Sequence, residues 1–247
     1  MPRANRIFCK GRVWHITHRC HQRSFLLKFV RDRRRWRHWL FEAKRRFGIS
    51  VLNYIATSNH IHLLCVDQGN GEIARSVQLI AGRTAQEFNT RKNRGGAFWE
   101  GRYRATAVQT DGHLARCITY IDLNMVRARV VRHPGDWEVS GYNEIQKPWQ
   151  RKGVIDFELL MNLLNTQSHE ELTKLQNRLL DMEIDNVKRN PIWTESAAVG
   201  DDNYLQELKY ALGARGYHRQ ILGEYGSKVL KEQNSCYLPS SGPKMSD

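Results

Sequence analysis

The run Asn59-His60-Ile61-His62-Leu63-Leu64 sets two imidazoles two residues apart within an apolar segment. In a β-strand such residues share a face, so His60 and His62 project together at about 6–7 Å spacing while Ile61 packs into the core. A pair so placed can ligate one divalent metal, and equally it can be two unrelated half-buried histidines. A second cluster follows in Tyr120-Ile121-Asp122-Leu123-Asn124-Met125-Val126-Arg127-Ala128. At about 100° per residue, Leu114, Ile118, Ile121 and Met125 form a buried helical stripe, and Cys117, Tyr120, Asn124 and Arg127 an adjoining strip. Alone, that is an amphipathic helix with a tyrosine at its margin. Together the clusters describe chemistry. A tyrosine hydroxyl, with a pKa of about 10, attacks phosphorus poorly unless a metal assists. Two imidazoles and the Asn124 amide oxygen would hold that metal and leave positions for a scissile phosphate. Mg²⁺ or Mn²⁺ suits such a mixed nitrogen and oxygen site, with Zn²⁺ as the competitor.

The positioning elements follow from hydropathy patterns. Gly11–Arg19 alternates as a strand, with Trp14 and Ile16 on one face and Val13, His15 and Thr17 on the other. Asp32 is placed to cap a helix that carries Trp36, Trp39, Leu40, Ala43 and Phe47 on one stripe and ends at Gly48. Ser50–Ala56 and His60–Val66 read as paired strands. A helix runs from Gly71 to about Arg91 and an extended stretch from Ala97 to Gln109. A third helix is capped by Asp111 and runs from His113 to about Val131. The order β-α-β-β-α-β-α predicts an α+β fold with helices packed on an antiparallel sheet. After Pro148 the spacing is helical: Ile155–Leu164, Ser168–Arg189 with Ser168 and Glu171 as a capping box, Asn203–Leu212 and Tyr217–Gly223. The expected division is a catalytic domain over 1–148, a mainly helical extension over 149–237 and a tail over 238–247.

Charge is unevenly divided. The chain of 247 residues carries 39 Lys and Arg against 25 Asp and Glu, a formal charge of +14. Residues 1–150 hold 27 of these basic and 11 of these acidic residues, and residues 151–247 hold 12 and 14. A first part at +16 attracts polyanions through counterion release, without sequence specificity. Its arginines cluster with aromatics around Trp36, Phe47 and Trp99. Arg102 and Arg104, sharing a strand face, are candidate phosphate contacts, with Arg12, Arg19 and Arg127. Forty per cent hydrophobic residues excludes a disordered chain. No apolar run approaches the ~18–20 residues of a membrane span, and no apolar stretch of a signal peptide follows the basic N-terminus. Five scattered cysteines (Cys9, Cys20, Cys65, Cys117, Cys236) without a C-x-x-C pair read as reduced thiols. A cytoplasmic, nucleoid-associated protein is the expectation.

The elements GRVWHITHR, NHIHLL, FWEGRYRA and YIDLNMVRA, in this order and spacing, resemble the REP-associated tyrosine transposases, which belong to the single-tyrosine transposases of small insertion sequences with a His-hydrophobic-His (HUH) signature. The resemblance covers about Gly11 to Tyr142. It implies a ferredoxin- or RRM-like sheet with the histidine pair on a central strand. It also implies metal-dependent cleavage of single-stranded DNA through a covalent 5′-phosphotyrosine, then rejoining by the freed 3′-hydroxyl. By motif match His60, His62 and Asn124 would be the metal ligands and Tyr120 the nucleophile. The implied substrates are repetitive extragenic palindromes, imperfect hairpins with a short tetranucleotide at the foot. Two positions depart from the family pattern: Met125 stands where a proline is usual, so a straighter helix is expected, and Ser58 replaces a proline before Asn59.

His15 and His18 point to opposite strand faces and so form no second pair; His15 reads as structural or close to DNA, and His21 as surface. Glu100 and Asp122 are candidate proton-handling or supporting groups. A monomer or weak homodimer is expected. The rival readings are a replication initiator or relaxase with the same chemistry, and a non-catalytic DNA-binding regulator derived from a transposase. An RRM-type RNA binder would carry an aromatic central-strand motif, and none is present.

Overall fold

Two periodicities, 2 for strands and 3.6 for helices, generate the chain order β1 (Val13–Arg19), α1 (Val30–Phe47), β2 (Ser50–Ala56), β3 (His60–Val66), α2 (Glu72–Arg91) and β4 (Arg104–Val108). The computed structural model describes residues 8–148, 153–184, 190–223 and 227–232. The four strands lie in the order β2-β3-β1-β4, every neighbour antiparallel, which is the ferredoxin-like arrangement. Register pairs Val13 with Val66 and Arg19 with His60, so the histidine pair sits at the Arg19 end of the central strands.

Adjacent residues of β2 show the two faces. Tyr54 turns towards Trp36 of α1, with ring centroids 6.1 Å apart. Asn53 turns the other way and donates from Nδ2 to Asp122 Oδ1 at 2.9 Å. Trp36, Leu40 and Ala43 of α1 and Ile73, Val77 and Ile80 of α2 are buried, and the Leu, Ile and Val side chains among them each contribute about 1.5–3 kcal/mol on leaving water. Trp39 and Phe47 pack at the margin of the same core. Gly48, left-handed at φ 69°, ends α1 with its N–H on the Lys44 carbonyl.

The later elements are α3 (Gly112–Asp122), α4 (Asn124–Arg127), α5 (Gly141–Gln146), α6 (Phe157–Leu163), α7 (His169–Glu183), α8 (Ile192–Glu195), β5 (Ala198–Gly200), α9 (Asp202–Ala211), α10 (Ala214–Tyr217), β6 (Arg219–Leu222) and β7 (Lys228–Glu232). The extension therefore supplies the expected helices and also three strands. β5 runs parallel to β4, and β7 and β6 follow, giving a seven-stranded sheet in the order β2-β3-β1-β4-β5-β7-β6. Both parts of the chain share one hydrophobic cluster that includes Leu63, Trp193, Val199 and Leu205. Among the described residues no helix is long and apolar enough to cross a membrane.

Several local expectations change. Asp32 does not cap α1: Phe29, extended, precedes the helix, and Asp32 lies buried in its first turn, ion-paired with Arg91 of α2. Arg33 instead secures that end, donating to the carbonyls of Leu27 and Lys28. Only Arg104–Val108 of the Ala97–Gln109 stretch is a strand, so Arg102 lies in the preceding loop. Asp111 caps α3 as expected, accepting from the His113 N–H at 2.8 Å. The helix then breaks at Leu123 (ψ 4°), and Asn124 starts a new turn, so Met125 does not produce a straight continuation to Val131. Tyr217–Gly223 is no helix, because β6 occupies Arg219–Leu222 on β7. Ser168 caps α7, accepting from the Glu171 N–H at 3.2 Å. Cys236 and the tail expected over 238–247 lie outside the described residues.

Candidate active site

The turn before β3 orients His60. Thr57 Oγ1 donates to the His60 carbonyl at 2.8 Å and lies 2.9 Å from His60 Nδ1, while Asn59 Oδ1 lies 2.7 Å from the same nitrogen. Asn59 Oδ1 only accepts, so Nδ1 carries the proton and Nε2 the lone pair. His60 is half-buried and its ring centroid is 4.9 Å from that of His62. Both project from one face of β3, the face that α3 covers.

His62 is buried and has a polar partner at each nitrogen. Its Nδ1 lies 2.8 Å from His15 Nε2, and its Nε2 lies 2.9 Å from the Asn124 side-chain amide. His15, also buried, places Nδ1 2.8 Å from the Trp193 carbonyl oxygen. Burial pulls His15 down to about 4, against the Trp193 hydrogen bond that favours its charged form. Burial, then the neighbouring His60, His15, Arg127 and Arg19, hold His62 well below the ordinary histidine range. Both imidazoles are thus neutral near pH 7, the state in which a histidine ligates metal.

Tyr120 is almost fully buried, walled by the rings of His62 (5.8 Å between centroids), His15 (6.2 Å) and Trp193 (6.3 Å). The Arg127 guanidinium lies 4.1 Å from the centre of the Tyr120 ring and donates to the Tyr120 carbonyl. Behind the tyrosine, Asp122 is buried, accepting from Asn53 and, at 2.8 Å, from Gln176 of α7. Burial pushes its carboxyl up to about 7, opposed by those two hydrogen bonds and by Arg127. Asp122 thereby ties α3 to β2 and α7.

The donor set fits a divalent metal. His60 and His62 each direct Nε2 away from a partnered Nδ1, and the Asn124 amide already meets His62 Nε2. Its oxygen and nitrogen exchange by a half-turn of the terminal group. Two neutral imidazoles and an amide oxygen suit Mn²⁺, Mg²⁺ or Zn²⁺. Among the described residues no cluster of three His, Cys, Asp or Glu could hold a metal.

The candidate arginines separate. Arg127 stands at the tyrosine. Arg19 is exposed and pairs in register with His60. Arg104 is exposed, with Nη1 3.5 Å from the Thr194 carbonyl, and Arg102 is exposed in the loop before β4. Arg12, at the other end of β1, pairs with Glu207 at 2.8 Å and stacks on Tyr204 of α9, joining the two parts of the chain. Glu100 is exposed. His18 stacks on Trp99 at 4.2 Å and meets the Gly101 carbonyl, away from the His62 face. The groups that sequence reasoning missed are His15 as a partner of His62 and Trp193 beside Tyr120. Alternation placed His15 on a definite face, but cross-strand register decides what shares it.

A family model described as "Transposase IS200 like" matches residues 10–124. Over those residues, a little under half of the chain, the sequence matches the IS200-like transposase family. The matched span contains both histidines of β3 and Tyr120, and it closes on Asn124. Among solved structures the chain is similar to a REP-associated tyrosine transposase bound to a REP hairpin. Identity there is 20%, with 64% of this chain and 95% of that one covered and a TM-score of 0.49. It is also similar to a putative transposase from Deinococcus radiodurans R1, at 16% identity over 49% of this chain and 95% of that one, with a TM-score of 0.35. No curated protein matches the chain. Within the matched residues all three proposed donors and the tyrosine converge on one face of β3, while Trp193, which lies beyond the match, closes that face.

Proposed function

We propose that the protein is a metal-dependent single-stranded DNA endonuclease and strand transferase that acts on palindromic, REP-like hairpins through a 5′-phosphotyrosine. The observation that carries this reading is the convergence of Tyr120, His62 and Asn124 from α3, β3 and α4, with His60 beside them. Tyr120 is the nucleophile. Its oxygen forms a bond to the scissile phosphorus as the bond to the 3′-oxygen breaks; the phenol proton goes to solvent, and the 3′-oxygen leaves with the electron pair and takes up a proton. The reverse attack by a 3′-hydroxyl rejoins strands and restores the tyrosine. His60, His62 and Asn124 would hold Mg²⁺ or Mn²⁺, which supplies polarisation of the phosphate and charge stabilisation. Arg127 steadies the Tyr120 ring and carbonyl, and Arg19, at the register of His60, meets the entering backbone. Arg102 and Arg104 extend that basic track, while Arg12, engaged with Glu207 and Tyr204 at the other end of β1, lies off it.

Residues 1–148 form the catalytic unit on this reading and 149–237 its accessory region. The +16 charge of the first 150 residues supports a nucleic-acid partner, and a protein acting on chromosomal hairpins works at the nucleoid, as a monomer or weak homodimer. The test is incubation with single-stranded hairpin oligonucleotides and Mn²⁺ or Mg²⁺, followed by a denaturing gel. A covalent adduct that Tyr120→Phe abolishes while DNA binding persists is the expected result. Binding without an adduct for every hairpin and metal would favour the non-catalytic regulator. An adduct surviving in Tyr120→Phe would assign the chemistry to another residue.

A further inference from the structure

We infer that His15 and the backbone carbonyl of Trp193 are positioning groups for the metal site, so that the C-terminal region fixes which nitrogen of His62 carries its lone pair. The inference rests on the metal-dependent reading above. It follows from donor and acceptor chemistry along one buried chain of atoms. A peptide carbonyl only accepts, so the 2.8 Å contact from Trp193 O requires the proton on His15 Nδ1. A neutral imidazole has one N–H, which leaves His15 Nε2 as an acceptor. The 2.8 Å contact between His15 Nε2 and His62 Nδ1 then requires the proton on His62 Nδ1. His62 Nε2 is left as a lone pair directed at Asn124. Each bond dictates the next, and the last nitrogen is the proposed ligand.

The carbonyl at the head of this relay is held in place. The strand next to β1 receives the Trp193 segment edge-on: Thr106 Oγ1 donates to the Ser196 carbonyl at 2.7 Å, and the Ala107 N–H donates to the Ala197 carbonyl at 2.9 Å. The Trp193 indole is buried and lies against the Tyr120 ring. One residue thus touches the nucleophile with its side chain and, through His15, orients a ligand with its backbone. It belongs to the region beyond the transposase match, which ends at Asn124. Outer partners of metal-bound histidines commonly set the tautomer and ring orientation, and their removal costs about 10–100-fold in metal affinity.

Two substitutions in the full-length protein separate positioning from packing. His15→Phe fills the volume but cannot accept a hydrogen bond; His15→Gln offers a carbonyl oxygen near the position of Nε2. Mn²⁺ affinity is measured by calorimetry without DNA, alongside the ring ¹⁵N spectrum of histidine-labelled, metal-free protein, with His62 assigned by its loss in His62→Gln. The inference expects His62 as the Nδ1–H tautomer in the wild type. His15→Phe should mix the tautomers and weaken Mn²⁺ binding about 10–100-fold, while His15→Gln stays within about fivefold of wild type. Wild-type affinity in His15→Phe, equal losses in both variants, or an Nε2–H tautomer in the wild type would each overturn it. If the wild type binds no Mn²⁺, the metal reading itself fails. The spectrum, which needs no metal, still decides the relay.

Discussion

The Nε2 atom of His62 and the side-chain amide of Asn124 lie 2.9 Å apart, one on a central strand and the other on the first residue of a helix that restarts after a break. Leu123, with ψ near 4°, makes that approach. The break is thus part of the site, since it determines where the amide points.

The two histidines of β3 differ in what they support. His62→Ala leaves His15 Nε2 and the Asn124 amide without their partner in a buried place, at a cost of about 1–3 kcal/mol. At this size that lowers the melting temperature by about 3–10 °C. His60→Ala, at the half-buried rim, should shift it by less than about 2 °C. Both should lose metal-dependent adduct formation. Calorimetry beside the denaturing gel checks the contrast, and equal melting shifts would count against the buried relay.

Arg127 offers a planar cation to the Tyr120 ring and one Nη2–H to its carbonyl. Arg127→Lys keeps the charge but loses both geometries. We expect adduct formation to slow about tenfold, worth about 1.4 kcal/mol of transition-state stabilisation, while DNA affinity changes less than about threefold. Single-turnover kinetics with a fluorescence titration would show it, and a loss confined to affinity would make Arg127 a phosphate contact alone.

Asp122→Leu removes the acceptor for Asn53 and Gln176 and orphans two buried amides. A loss of about 3 kcal/mol is expected. Urea unfolding measures it, and Gln176→Leu in the same background should then cost less than in the wild type, because the two residues share one network.

Cys20, Cys65 and Cys117 are wholly buried, and burial pushes the Cys20 thiol up to about 12. The unfolded thiol ionises near 9, so this group stabilises the fold fully below that pH and loses its contribution as pH rises towards about 12. Iodoacetamide at pH 9 should leave Cys20 unmodified in the native protein and label it completely in urea. Peptide mapping should find the half-exposed Cys9 modified before the three buried thiols. Native labelling of Cys20 at a rate near that of Cys9 would contradict its burial.

Much of the site is legible in the chain because its parts obey local rules. His60 and His62 follow the period of a strand, Tyr120 and Arg127 follow the period of a helix, and Asp111 announces where that helix starts. The first three strands and two helices emerge from hydropathy alone, and the fourth strand as the end of a longer extended stretch. Non-local pairing is what local patterns do not carry. His15 reaches His62 only because β1 lies antiparallel beside β3, with Thr17 opposite His62. Trp193 contributes a carbonyl, which every residue has. β5 is three residues long and finds its place through β4, and β6 spans a segment that reads as a helix until β7 pairs with it. The break at Leu123 has neither glycine nor proline to mark it.

The cover over the rim strands has a consequence for self-association. An uncovered outer strand invites a second chain to continue the hydrogen-bond ladder. On one side of the catalytic sheet, β2 is already engaged: Ala56 N–H donates to the Val139 carbonyl and Asp156 N–H to the Val51 carbonyl. On the other side β4 is taken by β5. Among the described residues the ladder therefore terminates far from the histidines, at β6, where Arg219 and Gln220 precede Ile221 and Leu222. Among the described residues, a second copy that extended this ladder would therefore have to add at β6, at the far side of the sheet from the histidines, and not beside β2 or β4.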